Sequence, residues 1–285
     1  MPLKKLILNP SAAGYMVYSA LFFSIMDVCV KFASRLPTVE IVFFRGLIAV
    51  TICITYFYFR KVRPWGTHKP QLIARGIFGT IALLLYYHSI SIMPLAAAVT
   101  IQKLSPIFTI LFAAFLMKRM IPFKQIILFI IAFTGIWIMR GSLAELNNFA
   151  LALAVLSAVF AGLGYATIAN IGLKEDPFVI IFYFPLVSLP FVSIPTYLQF
   201  ITPNSLEWIA LLGVGLSVHF GQYFMTLSLQ HGETNKVSIY FYIGPIFAVI
   251  SGFLLFNEAL NFQTLLGILV ILLATSLNNL KKSAL

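Results

Sequence analysis

The chain has 285 residues, of which 61% are hydrophobic and only 9% are charged, and its formal net charge is +11. About a quarter of the residues of a soluble domain are charged, so this composition excludes an ordinary soluble fold. The positive charge is confined to short segments between apolar runs, which excludes a nucleic-acid-binding stripe. Cys29 and Cys53 both fall in apolar runs and are predicted to be buried without a disulfide.

Apolar stretches of about 20 residues, long enough to cross a bilayer as helices, follow one another along the chain. Turn residues such as Pro37, Pro94 and Gly232 separate them. The first stretch is too long for a signal-peptide core and lacks a clear cleavage site, so we expect an uncleaved span. We predict an all-α integral membrane protein with ten transmembrane helices, at residues 12–34, 38–59, 70–92, 95–117, 122–140, 148–172, 177–199, 205–229, 234–256 and 261–279.

The basic residues predict the orientation of these spans. Placing both termini in the cytoplasm puts only Lys31, Arg35 and Arg140 toward the outside, with Arg45 and Lys103 inside spans. This distribution follows the positive-inside rule and supports an even number of spans. The cytoplasmic ends and loops then contain Lys4, Lys5, Arg60, Lys61, Arg63, Lys69, Arg75, Lys118, Arg119, Lys124, Lys174, Lys236, Lys281 and Lys282.

The two halves of the chain resemble each other. A shift of 139 residues places Ser105-Pro106-Ile107-Phe108 on Gly244-Pro245-Ile246-Phe247, and it places Ser89 on Ser228. A unit of five spans is odd in number, so its copy must insert in the opposite orientation. We therefore predict two inverted five-helix repeats, residues 1–143 and 144–285, with a binding site near the bilayer midplane where they meet.

Several sequence elements are similar to those of a known family: Met26-Asp27-x-x-x-Lys31, Glu40 to Gly46, Pro94 to Pro106, Pro245, Phe256-Asn257-Glu258 and Gln263-x-x-x-Gly267. With these elements the chain resembles, over essentially its whole length, the ten-helix EamA-type members of the drug/metabolite transporter superfamily. One departure is Lys118-Arg119, where the first repeat of the family commonly has glutamate. The resemblance implies a secondary transporter that moves a small organic metabolite by alternating access, and not an enzyme.

Five ionisable side chains lie inside the predicted spans: Asp27, Arg45, His88, Lys103 and His219. Such residues are costly in a bilayer, so each is a candidate functional residue, although many intramembrane charges form structural pairs. Asp27 shares a helix face with Lys31, four residues later. It is predicted to pair with Lys31 or with Arg45, or to load and release a transported proton.

Arg45 and Lys103 each have alternative interpretations. Arg45 either pairs with Asp27 or forks onto a carboxylate or phosphate of a substrate. Lys103 precedes Pro106, whose missing amide permits a broken or bent helix at midspan, and Pro245 repeats this feature in the ninth span. We expect Lys103 to line a polar cavity at the bend, with pairing to Asp27 and snorkelling as the alternatives.

Polar residues of the third, fourth, eighth and ninth spans are predicted to converge on one pocket. The predicted substrate-binding residues are Lys103, Gln102, Tyr87, His88, His219, Gln222, Tyr223, Tyr242 and Arg45. Asp27 is the proton-coupling candidate, and Pro106 and Pro245 are the helix-bend residues. The two histidines fit packing roles as well as binding roles. Two cations and one acid favour a zwitterion or an organic anion, amino-acid-like or nucleoside-like, over a simple cation.

Other functions are weighed against this prediction. The resemblance also fits uptake of S-adenosylmethionine or riboflavin. An intramembrane enzyme would need an acid/base set, and the chain has no H-E-x-x-H or G-x-S-x-G motif and no second deep acid beside Asp27. A lipid scramblase is the other alternative. The expected partners are a small-molecule substrate and the lipid bilayer of a bacterial inner membrane, with no nucleic acid, metal or other cofactor, and the chain is either a monomer or a homodimer.

Small residues and prolines inside the spans predict two features of packing. Gly162 and Gly213, each close to a second glycine, predict places where helices approach closely. Pro185, Pro190 and Pro195 in the seventh span predict a bent helix.

Overall fold

The computed structural model describes residues 12–116, 123–142, 148–231, 243–258 and 262–279. These residues form α1 (Ala12–Phe32), α2 (Thr38–Arg60), α3 (Lys69–Ile92), α4 (Leu95–Gln102), α5 (Ser105–Leu116), α6 (Phe123–Ser142), α7 (Asn148–Ile171), α8 (Pro177–Gln199), α9 (Ser205–His231), α10 (Ile243–Phe256) and α11 (Phe262–Asn279), with a short 3-10 helix at Gly172–Lys174.

The helices follow the apolar stretches of the sequence. Within the described ranges, seven helical stretches are long and apolar enough to cross a membrane, and three shorter apolar ones accompany them at Ile126–Ile138, Gly244–Phe256 and Phe262–Ala274. Helices α4 and α5 together make the fourth predicted span. The all-α membrane architecture predicted from the sequence is confirmed.

Local sequence signals fix where two helices of the second half begin. The Asp176 side chain accepts a hydrogen bond of 2.8 Å from the Phe178 amide, and Pro177 occupies the first turn of α8. At the start of α9, Asn204 and Glu207 each accept a hydrogen bond from the other's backbone amide, at 2.9 and 2.8 Å. This reciprocal capping box satisfies two amides that lack partners within the helix.

The fourth span is broken between α4 and α5. The amides of Lys103 and Leu104 bond to the carbonyls of Thr100 and Ile101, both at 3.0 Å, which is the spacing of a tight turn and not of an α-helix. Pro106 has no amide to continue the α-helical pattern to Gln102. In the ninth span, α10 begins at Ile243 with Pro245 in its first turn, and residues 234–242 of this predicted span lie outside the described residues.

The helices pair in a pattern that is symmetric between the two halves. Helix α1 packs on α9 as α3 packs on α7, and α10 packs on α1 as α5 packs on α7. Helices of corresponding position also pack on each other, namely α2 on α8, α4 on α10 and α6 on α11. Exchanging the two five-span halves maps this set of pairs onto itself. The architecture is thus that of two repeats, and their odd number of spans makes them inverted.

Glycines allow the close approach of helices that the sequence predicts. A methyl group at Gly162 would lie 2.5 Å from Phe108 Cβ, and one at Gly213 would lie 2.7 Å from Cys29 Sγ. A larger residue at Gly162 would also meet backbone atoms of α5, so the neighbouring helix would have to move, whereas at Gly213 a shift of the Cys29 side chain could make room. Helix α8 continues from Pro177 to Gln199 with its three internal prolines inside it.

The loops meet at two ends of the bundle, and each end joins the two repeats. At one end Arg35 pairs with Glu207 at 2.6 Å, and this end is called the Arg35 end. At the other, the Thr67 hydroxyl donates to Glu175 at 2.7 Å, and this end is called the Glu175 end. Polar contacts between loops thus hold the repeats together on both sides of the bundle.

Candidate functional site

A cavity with about 620 Å³ of empty volume lies between the two ends, surrounded by α1, α2, α3, α7, α8, α9 and the break between α4 and α5. Polar side chains from both repeats line its wall. They are Asp27, Arg45, Arg75, Tyr86, Gln102, Lys103, Tyr165 and Gln222. A polar cavity between two repeats is the arrangement in which transporters of this kind bind their substrates.

Asp27 is held at one side of this cavity. Its Oδ1 accepts a hydrogen bond of 2.8 Å from the Tyr86 hydroxyl, which joins α1 to α3. The side chain is 4% exposed and experiences the attractive charge of Lys103. A carboxylate held by a phenol and a nearby amine can accept and release a proton without leaving the cavity.

Lys103 lies at the break in the fourth span, on the cavity wall. Its side chain is only 5% exposed, so the snorkelling alternative is wrong. A methyl group at Gly244 would lie 3.0 Å from its Nζ, which places the amine close to α10 of the other repeat. The neighbouring Gln102 accepts a hydrogen bond of 2.5 Å from Ser157. The break therefore brings the amine to a place where both repeats meet.

The proposed pairing of Asp27 with Lys31 is wrong. Lys31 instead lies 3.1 Å from Glu258 and donates to the carbonyls of Ile90 and Met93, at 3.1 and 2.8 Å. These groups lie at the Arg35 end, because Lys31 is in the last turn of α1. The helical spacing of four residues allowed the pair with Asp27, but Glu258, which follows the end of α10, offers Lys31 a partner closer to the end of the bundle.

Two arginines lie against one phenylalanine ring. The guanidinium carbon of Arg45 is 4.1 Å from the centroid of Phe184, and that of Arg75 is 5.5 Å from it. Both arginines are buried, and Arg75 donates to the Gln222 side chain at 3.1 Å. Within the described residues, Arg45 forms no ion pair with Asp27, so the alternative of a pair between them is not found.

Some polar atoms of this region have no hydrogen-bond partner among the residues that the structure describes. They are Nε and Nη1 of Arg45, Nε of Arg75 and both ring nitrogens of His219. His219 is 2% exposed and lies behind the cavity wall, in a smaller recess that it shares with both arginines and Gln222. Buried polar atoms without partners are uncommon in proteins, so these atoms are available to bind a ligand.

Four of the predicted substrate-binding residues do not line the cavity, namely His219, which borders only the smaller recess, and Tyr87, His88 and Tyr223. His88 is exposed and lies 3.4 Å from the Thr38 hydroxyl. Tyr87 is buried with its hydroxyl 3.1 Å from the Met26 sulfur, and Tyr223 packs on Phe178 with the ring centroids 5.1 Å apart. Successive helical residues are turned by about 100°, so only one member of the run from residue 86 to 88 can face the cavity. Tyr242 lies outside the described residues.

Four residues of the cavity wall are not among the residues predicted from the sequence, namely Arg75, Tyr86, Tyr165 and Phe184. The distribution of charges assigns Arg75 to a cytoplasmic end or loop, but its side chain is buried inside the bundle. The periodicity of α3 contained the signal. Residues 75, 79, 82, 83 and 86 recur at helical spacing and all line the cavity, so they form one face of α3.

A bundle of helical spans in two repeats, with a polar cavity buried between them, defines an integral membrane transporter for a small molecule. The chain belongs to the EamA-like transporter family, whose model matches residues 10–141 and again residues 148–280. The resemblance inferred from the sequence is thereby confirmed. The family and its bacterial relatives identify this chain as an integral inner-membrane protein.

Named relatives over most of the chain are transporters and not enzymes. The pseudopaline exporter of Pseudomonas aeruginosa (strain UCBPP-PA14) is 31% identical over 93% of this chain and 95% of its own. The S-adenosylmethionine uptake transporter of Rickettsia prowazekii (strain Madrid E) is 24% identical, over 88% and 86%. Solute carrier family 35 member G1 of Mus musculus is 27% identical, over 92% and 76%. A protein of known crystal structure has the same fold, with a TM-score of 0.70, 16% identity and coverage of 93% and 95%.

Proposed function

We propose that this chain is a secondary transporter that binds a zwitterionic or anionic organic metabolite in the central cavity and moves it by alternating access. The excess of buried positive charge carries the proposal. Arg45, Arg75 and Lys103 line the cavity with Asp27 as the one acid among the described lining residues. The charge of Lys103 is offset by Asp27, and among the described residues no carboxylate pairs with either arginine. Charges without a counter-charge inside a membrane protein are costly, so a negatively charged ligand would be favoured beside the arginines. The relatives named for an exporter and for uptake both fit a metabolite transporter.

The same charges bear on the alternative of S-adenosylmethionine uptake. A sulfonium would need an acidic or aromatic site, and the cavity offers one acid against three cations. The ring of Phe184 is already covered by the Arg45 guanidinium at 4.1 Å. Riboflavin carries no carboxylate for the arginines to bind. S-adenosylmethionine has one carboxylate, but its sulfonium and ammonium groups give it a net positive charge. We therefore rank both compounds below an anionic metabolite or a zwitterion without a sulfonium, and include them in the test.

Alternating access requires that each end of the bundle open in turn. Both ends are closed by contacts between the repeats, through the Lys31 pair with Glu258 at one end and the Thr67 contact with Glu175 at the other. These contacts are few and polar, and they lie apart from the apolar packing of the helices. They support a transport cycle in which one set is released while the other holds.

The proposal is tested with purified protein in detergent and in proteoliposomes. A panel of amino acids, organic anions, S-adenosylmethionine and riboflavin is screened for an increase in the thermal midpoint, because a ligand of the native state stabilises it by mass action. We expect anions or zwitterions to stabilise the native protein and to support saturable counterflow. Lys103→Gln should lose both effects, whereas Lys174→Gln, a change of an exposed lysine, should keep them. Movement of labelled lipid without saturable counterflow would contradict the proposal.

We further propose that Asp27 carries the proton that couples transport to a pH gradient. Asp27→Asn removes the titrating group but keeps an oxygen that can accept from Tyr86. We expect uptake driven by a pH gradient to be lost, while counterflow without a gradient persists because exchange needs no net proton movement. A pH-gradient dependence equal to that of the native transporter would exclude this role for Asp27. The measurement is initial uptake in proteoliposomes with and without an imposed gradient.

A further inference from the structure

The arginines of the cavity differ from ordinary buried cations in how their charge is satisfied. Arg45 and Arg75 are 3% and 4% exposed, and the two guanidinium groups repel each other. In a folded protein a buried cation is normally paired with a carboxylate. Here the described surroundings supply a phenyl ring and one amide oxygen, that of Gln222. The positive charge of this pair therefore lacks a counter-charge in the part of the chain described.

The contact of the two arginines with the Phe184 ring leaves N–H groups of both guanidinium groups available to a ligand. A guanidinium stacked on a ring uses its face, and its N–H groups point outward in the plane, where they can fork onto a carboxylate. The guanidinium carbon of Arg45 lies over the Phe184 ring, 4.1 Å from its centroid. The unpartnered Nε and Nη1 of Arg45 and Nε of Arg75 are donors of the kind that such a fork uses.

The arginines border two adjoining spaces. With Gln222 they line the main cavity, and with Gln222 and His219 they also border a small recess beside it. His219 adds a ring nitrogen that can donate to an anion, and both its nitrogens are unpartnered among the described residues. Lys103 and Asp27 line the main cavity only.

We propose that Arg45 and Arg75 form a second anion subsite, distinct from Lys103, which takes a second carboxylate of the transported molecule. The substrate is then a metabolite with two carboxylates, one bound near Lys103 and one forked by the arginines. This inference rests on the proposed function for the identity of the ligand as cargo. Two carboxylates also balance the three cations and one acid of the cavity.

The inference predicts a preference for dicarboxylates over their monoamides. The probes are malonate, succinate, glutarate and adipate as sodium salts, each compared with its monoamide at equal ionic strength near neutral pH. The series varies the separation of the carboxylates while each monoamide keeps the shape of its parent. We expect at least one dicarboxylate to raise the thermal midpoint of the native protein more than its monoamide does. Equal stabilisation throughout, or none from any dicarboxylate, would overturn the inference.

Variants then assign the preference to the arginines. Arg75→Gln should weaken dicarboxylate binding by about 10- to 100-fold, the loss expected for a charged hydrogen bond, and leave monoamide binding nearly unchanged. Arg75→Lys keeps the buried charge without the fork and should retain part of the preference. Arg63→Gln, in an exposed loop, is the matched control and should behave as the native protein does. A full dicarboxylate preference in Arg75→Gln, or in Arg75→Lys if Arg75→Gln does not fold, would overturn the inference.

Transport separates this inference from the proposed function. A native protein that shows saturable counterflow of monocarboxylates or zwitterions, but no dicarboxylate preference, keeps the proposed function and loses the second subsite. A native protein that binds dicarboxylates through Arg75 but supports no counterflow keeps the subsite and loses the role of transporter. The two measurements use the same purified protein.

Discussion

Because Gly79 has no side chain, Arg75 and Phe184 can lie close to each other beside it. A methyl group at this position would collide with the Arg75 guanidinium and would lie 2.6 Å from the Phe184 ring. We predict that Gly79→Ala lowers the free energy of unfolding by about 1–3 kcal/mol, the range for overpacking a buried site, and removes the dicarboxylate preference. Thermal midpoints with and without a dicarboxylate measure both effects.

Gly164 is the matched control for this substitution, because it faces the same arginine from α7. A methyl group there would lie 3.6 Å from Arg75 Nη1, which is an ordinary contact distance. We expect Gly164→Ala to keep ligand binding and to change stability by less than about 1 kcal/mol, in the stabilising direction that alanine has within a helix. If Gly79→Ala bound dicarboxylates as well as Gly164→Ala does, the close packing of Arg75 would not matter for the subsite.

At the scale of helices, the sequence predicts most of the architecture. The span expected at 205–229 is Ser205–His231, and the break beside Pro106 lies where the missing amide allows it. Hydrophobic length and proline position are local signals, so a sequence contains them. It is harder to predict which face of each helix lines the cavity. The choice among Tyr86, Tyr87 and His88, for example, depends on how the neighbouring helices pack around α3. The location of Arg75 was likewise ambiguous, because a basic residue two turns into a helix can lie either at the end of the bundle or in a cavity inside it.

The start of α4 depends on a carboxylate from the other repeat. Glu258 accepts a hydrogen bond of 2.8 Å from the Leu95 amide and lies 3.1 Å from Lys31. We predict that Glu258→Gln lowers the free energy of unfolding by about 1–3 kcal/mol, because the N-terminus of α4 loses its negative cap and Lys31 loses its counter-charge. Lys31→Met should have a similar effect. Denaturation in mixed detergent measures both.

The double variant distinguishes a specific pair from two independent effects. Residues of one network are not additive, so Lys31→Met combined with Glu258→Gln should cost clearly less than the two single changes together. Lys174→Met, at an exposed position, is the control and should leave stability unchanged. Strict additivity of the two changes would show that the pair does not act as a unit at the Arg35 end.

At the scale of the whole molecule, the Glu175 end is sensitive to acid. Burial alone would raise the pKa of Glu175, but hydrogen bonds from the Thr67 hydroxyl and from the backbone amides of Thr67 and His68 outweigh it and lower that pKa to about 2 from 4.5. A lowered pKa stabilises the fold above the unfolded-state pKa, and this contribution is lost as the pH falls from about 4.5 to 2. We predict a loss of up to about 3 kcal/mol over this window.

Glu175→Gln should be less stable than the native protein at neutral pH and should show a smaller loss between pH values of about 4.5 and 2. Thr67→Val removes one hydroxyl donor and should give an intermediate pH dependence. Thermal midpoints across this range measure all three proteins. An acid-induced loss in Glu175→Gln as large as in the native protein would assign the effect to other carboxylates.

The two ends of the bundle differ in free positive charge, and this difference predicts the orientation in the membrane. At the Arg35 end, Lys31 and Arg35 are paired with Glu258 and Glu207. At the Glu175 end the basic side chains that the structure describes are exposed, at Arg60, Lys61, Arg63, Lys69 and Lys174. Because free basic residues are retained on the cytoplasmic side, we expect the Glu175 end to face the cytoplasm.

Single cysteines test this orientation, in a background where Cys29 and Cys53 are replaced by alanine. Thr202→Cys, exposed at the Arg35 end, should react with a membrane-impermeant maleimide on intact bacterial cells. Lys174→Cys should react only after the membrane is permeabilised, because a charged reagent cannot cross the bilayer. Labelling of Lys174→Cys but not of Thr202→Cys on intact cells would reverse the orientation. In that case the exposed positive charge would not have governed insertion, and the end closed by Glu175 would face the outside.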